Sequence, residues 1–134
     1  MQRLLQLFGL LVALTFAFDR RTYNDDFITI TRNYAATLSE NSRVNRVLEV
    51  LTECEFATEG CSSNNHSALL YDLGAAYILS GNYPKAVKKY NLAFTEYSAI
   101  GCTDELTARK IAAARQMKRY GFEYPKEWET DYLE

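Results

Sequence analysis

Between Ser67 and Ser98 the chain reads SALLYDLGAAYILSGNYPKAVKKYNLAFTEYS, and no other stretch restricts the fold so tightly. Leu70, Leu73, Gly74 and Tyr77 recur at the spacing that gathers side chains on one face of a helix. Gly81 and Tyr83 mark a turn and the opening of a second helix, with Pro84 in its first turn, where a missing amide hydrogen costs nothing. Ala86, Tyr90 and Ala93 resume the spacing, small and large side chains alternating. The stretch therefore predicts two helices joined by a tight turn, with Gly74 letting them approach closely.

The order of these residues resembles one tetratricopeptide repeat, covering residues 67–100. That pattern has a bulky residue, Leu-Gly three positions on and an aromatic three beyond, which Leu70, Leu73-Gly74 and Tyr77 supply. Gly81 and Tyr83 match its turn, and Ala86, Tyr90 and Ala93 its small-aromatic-small stripe. Leu70 stands where Trp is usual and Ser98 where Pro commonly ends the unit; neither changes the packing logic. The resemblance implies an all-α fold, a short α-solenoid of antiparallel helix pairs, and protein binding as the function. A lone repeat cannot bury both of its faces, so the flanking helices are expected to act as neighbours or caps.

In such repeats the first helix lines the concave face, here Ala68, Tyr71, Asp72, Ala75, Ile78 and Leu79. The expected partner-binding groove is Tyr71, Asp72, Ala75, Ile78 and Leu79. Repeats that clamp the acidic carboxyl terminus of heat-shock chaperones carry Lys, Arg and Asn there, and this mostly apolar set cannot make those charge-assisted bonds. The groove suits a helix or an extended peptide, or else it is covered by the chain's own first hairpin. Lys85, Lys88 and Lys89 read as a solvated face of the second helix.

Upstream, Phe27, Ile30, Tyr34 and Leu38 predict a helix over Asp25 to Ser39, capped by Asn24 or Asp25. Phe27 to Thr31 alone fits a strand equally well, but with no second strand nearby its backbone would stay unpaired. Ser42 is placed to cap a second helix, with Val44, Val47, Leu48, Leu51 and either Cys54 or Phe56 as its apolar stripe. Ala57 to Asn65 is loop-like. Downstream, Thr103 is expected to cap a helix opened by Asp104 and Glu105 and closed by Lys118, Arg119 and Gly121. The acidic, aromatic end, residues 122–134, is expected to fold back onto the domain; the alternative is an exposed tail through which Trp128 and Tyr132 contact a partner. The boundaries are thus 1–18 leader, 19–24 connector, 25–121 helical domain and 122–134 tail.

The leader LLQLFGLLVALTFAF follows a single charge, Arg3. As a helix, Leu4 to Phe18 rises roughly 22 Å at about 1.5 Å per residue, short of a hydrocarbon core of about 30 Å. A cleaved signal peptide fits better than a retained anchor, with Thr15 and Ala17 at minus three and minus one. This implies a secretory, lumenal or extracellular address; the alternative is a membrane anchor. Phe18 directly after Ala17 also resembles the junction of bipartite signals in algae with red-lineage plastids, although FDRRTYNDDF is richer in acids than transit peptides are. If the leader stays, Arg20 and Arg21 outnumber Arg3 and favour a cytoplasmic or stromal domain.

The remaining inventory narrows the chemistry. A net charge of -2 offers no basic field for nucleic acid. Cys54, Cys61 and Cys102 contain no close pair of the kind that binds zinc; in an oxidising lumen Cys54 and Cys61 can close a small loop, against three idle thiols otherwise. Asn65-His66-Ser67 is a glycosylation acceptor pattern, relevant only in the secretory lumen and equally a helix start. His66, the only histidine, suits a capping or surface role. No glycine-rich phosphate loop or nucleophile elbow is present, and Glu53 and Glu55, or Asp25 and Asp26, are helix charges more than an acid and base pair. Neither catalysis nor a cofactor is expected. Expectation settles on an adaptor, scaffold or assembly factor at or across a membrane, with an accessory subunit anchored by its amino-terminal helix as the rival.

Overall fold

Arg20 to Glu40 opens a series of five α-helices among the described residues, 20–40 and 43–129, of a computed structural model. They are α1 (Arg20–Glu40), α2 (Val44–Ala57), α3 (Asn64–Leu79), α4 (Tyr83–Ala99) and α5 (Thr103–Arg119), followed by a 3-10 turn, Lys126–Trp128. No strand occurs among the described residues. The leader, residues 1–18, and Tyr132 lie outside them. Two compact units divide at Cys61 and Ser62.

The first unit is the α1–α2 helical hairpin. The residues expected as a connector, 20–24, are already helical, because Asn24 does not cap: it is buried inside α1. The inward face of α1 runs Asn24, Phe27, Ile28, Thr31, Ala35 and Leu38, while Ile30 is 54% exposed and so stands off the stripe expected for it. On α2, Val47, Val50, Leu51 and Cys54 are buried, whereas Phe56, at 80% exposure, points out.

The second unit holds α3, α4, α5 and the tail. The Ser63 hydroxyl accepts from the His66 amide at 3.1 Å to cap α3, and Asn82 Oδ1 accepts from the Lys85 amide at 3.2 Å to cap α4. Cys102, not Thr103, precedes α5 and makes no side-chain cap bond. All three helices stop the same way. Gly81, Gly101 and Gly121 take φ of 81°, 81° and 85°, and the following amides reach back to Tyr77, Tyr97 and Met117 carbonyls at 2.9, 2.9 and 2.8 Å. Leu70, Leu73, Ala86, Tyr90 and Ala93 are buried, and Tyr77 and Tyr83 half-buried. One core cluster joins Ile78, Ala86, Tyr90, Phe94, Ala113, Met117 and Trp128, so α3, α4, α5 and the tail share a single apolar centre.

Candidate functional site

The five groove positions of α3 divide by what α5 does to them. Ile78 is 1% exposed and packs in the cluster with Ala113 and Met117 of α5. Tyr71 and Ala75 are half-buried against the same cluster, and Asp72 is also half-buried. Leu79, 38% exposed, stands at the edge. The Arg109 guanidinium lies 4.6 Å from the centre of the Tyr71 ring, and its Nε donates to Glu105 Oε1 at 2.9 Å. Behind them the Tyr90 hydroxyl donates to Gln116 Oε1, and Gln116 Nε2 donates to the Ala75 carbonyl at 3.4 Å. The buried wall is thus filled by α5, with Asp72, Glu105 and Arg109 left half-buried and Leu79 exposed along its edge.

Burial sets the electrostatics of this face. It pushes the Tyr71 hydroxyl above the usual phenol range; Arg109 opposes the shift and Asp72 adds to it. Burial also works against the Arg109 charge, but Tyr97, Glu105 and Tyr71 more than offset it and hold the guanidinium in its charged form. Such an edge can meet a polar backbone or a charged side chain on one side and an aliphatic one at Leu79.

In the first unit, Asn24 Nδ2 donates to the Cys61 thiol at 2.7 Å, and Thr31 hydrogen-bonds Cys54. Both cysteines are free, as is Cys102. Asn24 and Thr31 are two turns apart on α1, about 10 Å along the axis, so the two thiols bond to different levels of that helix. Burial pushes the Cys54 thiol up to about 11 from 9.0, with Thr31 opposing and Glu55 adding. Sequence reading placed Asn24 at a cap and gave Thr31 no role; the signal for both was the register of polar residues on the inward face of α1.

His66 is buried, and its Nδ1 contacts both carboxylate oxygens of Glu96 at 2.8 and 2.9 Å. Glu96 also accepts the Ser63 amide at 3.2 Å, so the pair ties the start of α3 to the last turn of α4. Asn65 is half-buried in the first turn of α3, and the Ser67 hydroxyl is spent on the Ser63 carbonyl at 2.9 Å. Among the described residues no group of three His, Cys, Asp or Glu is gathered as a metal ion needs, and no helix is long and apolar enough to cross a membrane.

The tail returns to the helices. Trp128 is 1% exposed, its indole N–H donates to Asn91 Oδ1 at 2.6 Å, and its ring meets Tyr90 and Phe94 edge-on with centroids at 5.5 and 5.2 Å. Phe122 packs on Tyr83 at 5.6 Å, and the Tyr83 hydroxyl donates to the Glu123 carbonyl at 2.9 Å.

No known family model, no curated protein and no solved structure matches the chain.

Proposed function

We propose that the chain is a non-catalytic protein-interaction module built on a tetratricopeptide-like repeat, serving as an adaptor or assembly factor at or across a membrane. The contact that supports this is Gly74 against Tyr90, where a Cβ on the glycine would lie 2.7 Å from the ring. It joins α3 and α4 at the two positions where the repeat pattern pairs glycine with an aromatic. On this reading α5 is the first helix of a second, incomplete unit, and the partner meets the edge formed by Asp72, Leu79, Glu105 and Arg109. The apolar run Leu4 to Phe18 supports the membrane part of the proposal.

The test is recovery of partners by crosslinking and affinity capture of the intact chain beside the Leu79→Asp, Arg109→Glu variant. Both side chains are partly exposed, at 38% for Leu79 and 28% for Arg109, so the helices should survive. Loss of the same partners from the variant supports the edge as the interface; equal recovery removes it. The same apolar run also favours an accessory subunit permanently anchored in a membrane complex. Sequencing the mature amino terminus decides between them: a start near Phe18 removes the anchor, and a retained Met1 removes the cleaved signal.

A further inference from the structure

We infer that Asn65 accepts an N-linked glycan only while the start of α3 is unfolded, and that folding of this helix closes the site. Asn65-His66-Ser67 is the only acceptor pattern in the chain. Such a pattern is read through two groups together, the amide of its first residue and the hydroxyl of its third. In α3 these groups part. Residues two apart on an α-helix stand about 200° apart around the axis and do not face each other. The exposure follows: Asn65 is half-buried, whereas Ser67 is 0% exposed.

The turn is also held shut. The Ser67 amide and the Ser67 hydroxyl both donate to the Ser63 carbonyl at 2.9 Å, and the His66 amide donates to Ser63 Oγ at 3.1 Å. Between them His66, itself buried, sets Nδ1 2.8 Å from the Glu96 carboxylate of α4. Bringing the Ser67 hydroxyl round to the side of Asn65 means unwinding this turn, which breaks the Ser67 bonds and draws His66 off Glu96. An acceptor pattern used in a folded protein lies on a surface loop, and this one lies inside a clasp between two helices. In the extended chain nothing bars it, because the middle residue is His and not the excluded proline.

Modification joins C1 of the first sugar to Asn65 Nδ2. The bond from that carbon to a lipid pyrophosphate breaks, the pyrophosphate leaves with the electron pair, and the amide gives up one proton. Folding and modification are thus competing fates of one turn: a chain that meets the enzyme before α3 forms carries the glycan, and a folded chain does not. This rests on neither the edge proposed above nor the fate of the leader, since both states can be presented to the enzyme in purified form.

The test uses a purified single-subunit oligosaccharyltransferase with a lipid-pyrophosphate-linked oligosaccharide. Its acceptors are the intact folded chain, a peptide of residues 62–72 and the full-length Glu96→Ala variant, with circular dichroism as the check on folding. Ser67→Ala, which destroys the pattern, sets the background. Where a local opening gates the reaction, its rate follows the open fraction. The peptide should be modified at Asn65, and the folded chain at least about tenfold more slowly. The Glu96→Ala variant, having lost the clasp, should react at least about fivefold faster than its parent. A folded chain modified as fast as the peptide overturns the closure, and an unmodified peptide overturns Asn65 as an acceptor. A folded Glu96→Ala variant no faster than the parent overturns the His66–Glu96 pair as the clasp. The comparison of folded chain with peptide stands whatever that variant does.

Discussion

Gly74 and Tyr90 touch with no room for a side chain between them: a Cβ on Gly74 would stand 2.7 Å from Tyr90 Cδ1 and 2.8 Å from Cγ. The ring cannot yield cheaply. Tyr90 is 0% exposed and is bounded by Tyr71, Phe94 and Trp128, with ring centroids at 5.2, 6.1 and 5.5 Å. The α3–α4 pair is therefore closed at one point by backbone against an aromatic face, and that ring in turn supports both α5 and the tail.

Gly74→Ala should consequently destabilise the fold. Helix propensity alone favours alanine by about 1 kcal/mol, but overpacking a fixed core site costs about 1–3 kcal/mol. A net loss of about 1 kcal/mol is expected in urea unfolding. A variant more stable than the parent would show that the ring gives way and that the helices are not clamped there.

Alkaline pH should weaken the first unit through Cys54. Its folded pKa is raised to about 11 from 9.0 by burial, so the folded state holds the thiol proton more tightly than the unfolded chain does. That contribution is complete below pH 9 and is lost as pH rises to 11, a change on the order of 2 kcal/mol. Burial raises Tyr71 and Tyr90 in the same sense, so the parent must be compared with Cys54→Ala. The stability gap between the two should narrow across pH 9 to 11; a constant gap would exclude Cys54 as the source.

Glu96→Ala should fray the start of α3. Glu96 receives His66 and the Ser63 amide, and its side chain is 14% exposed against 10% for His66. Leaving these donors unpaired costs about 1–3 kcal/mol, while Glu96→Gln keeps an acceptor and should cost less. Amide exchange at His66 and Ser67 should quicken in the alanine variant and much less in the glutamine one; equal rates in both would mean the pair does not hold the helix start.

How much of this was legible in sequence depends on which helix a residue faces. Leu70, Leu73, Ala86, Tyr90 and Ala93 could be placed inward because their partners lie within one hairpin of contiguous sequence. The covering of Ile78 by Ala113 and Met117, and of Phe94 by Trp128, could not, because periodicity marks an apolar face without naming what lies on it. The start of α1 was misjudged for a related reason: Asn24 has the chemistry of a cap, yet its amide is used across the hairpin on Cys61. Gly81, Gly101 and Gly121 carried a signal of equal helix ends that was not exploited: Gly81 was read as a turn, Gly121 as a helix end, and Gly101 was given no role.

The tail's anchor should behave as a pair. Trp128 is 1% exposed and its N–H meets Asn91 Oδ1 at 2.6 Å, so removing the Asn91 acceptor leaves the indole donor desolvated and unpaired, while the half-buried Asn91 amide loses its partner when the indole is removed. Asn91→Leu strands the buried indole donor at a cost of about 1–3 kcal/mol, and Trp128→Phe, which leaves the half-buried amide without its donor, costs less through this bond. The double variant removes donor and acceptor together and keeps an aromatic ring between Tyr90 and Phe94. It should therefore cost less than the sum of the singles by about 1 kcal/mol, read from urea unfolding followed at 222 nm. In Asn91→Leu, Trp128 emission should in addition move to longer wavelength as the tail spends more time in water. Additive losses with an unmoved emission maximum would show that packing alone seats the tail and that Asn91 plays no part in selecting tryptophan.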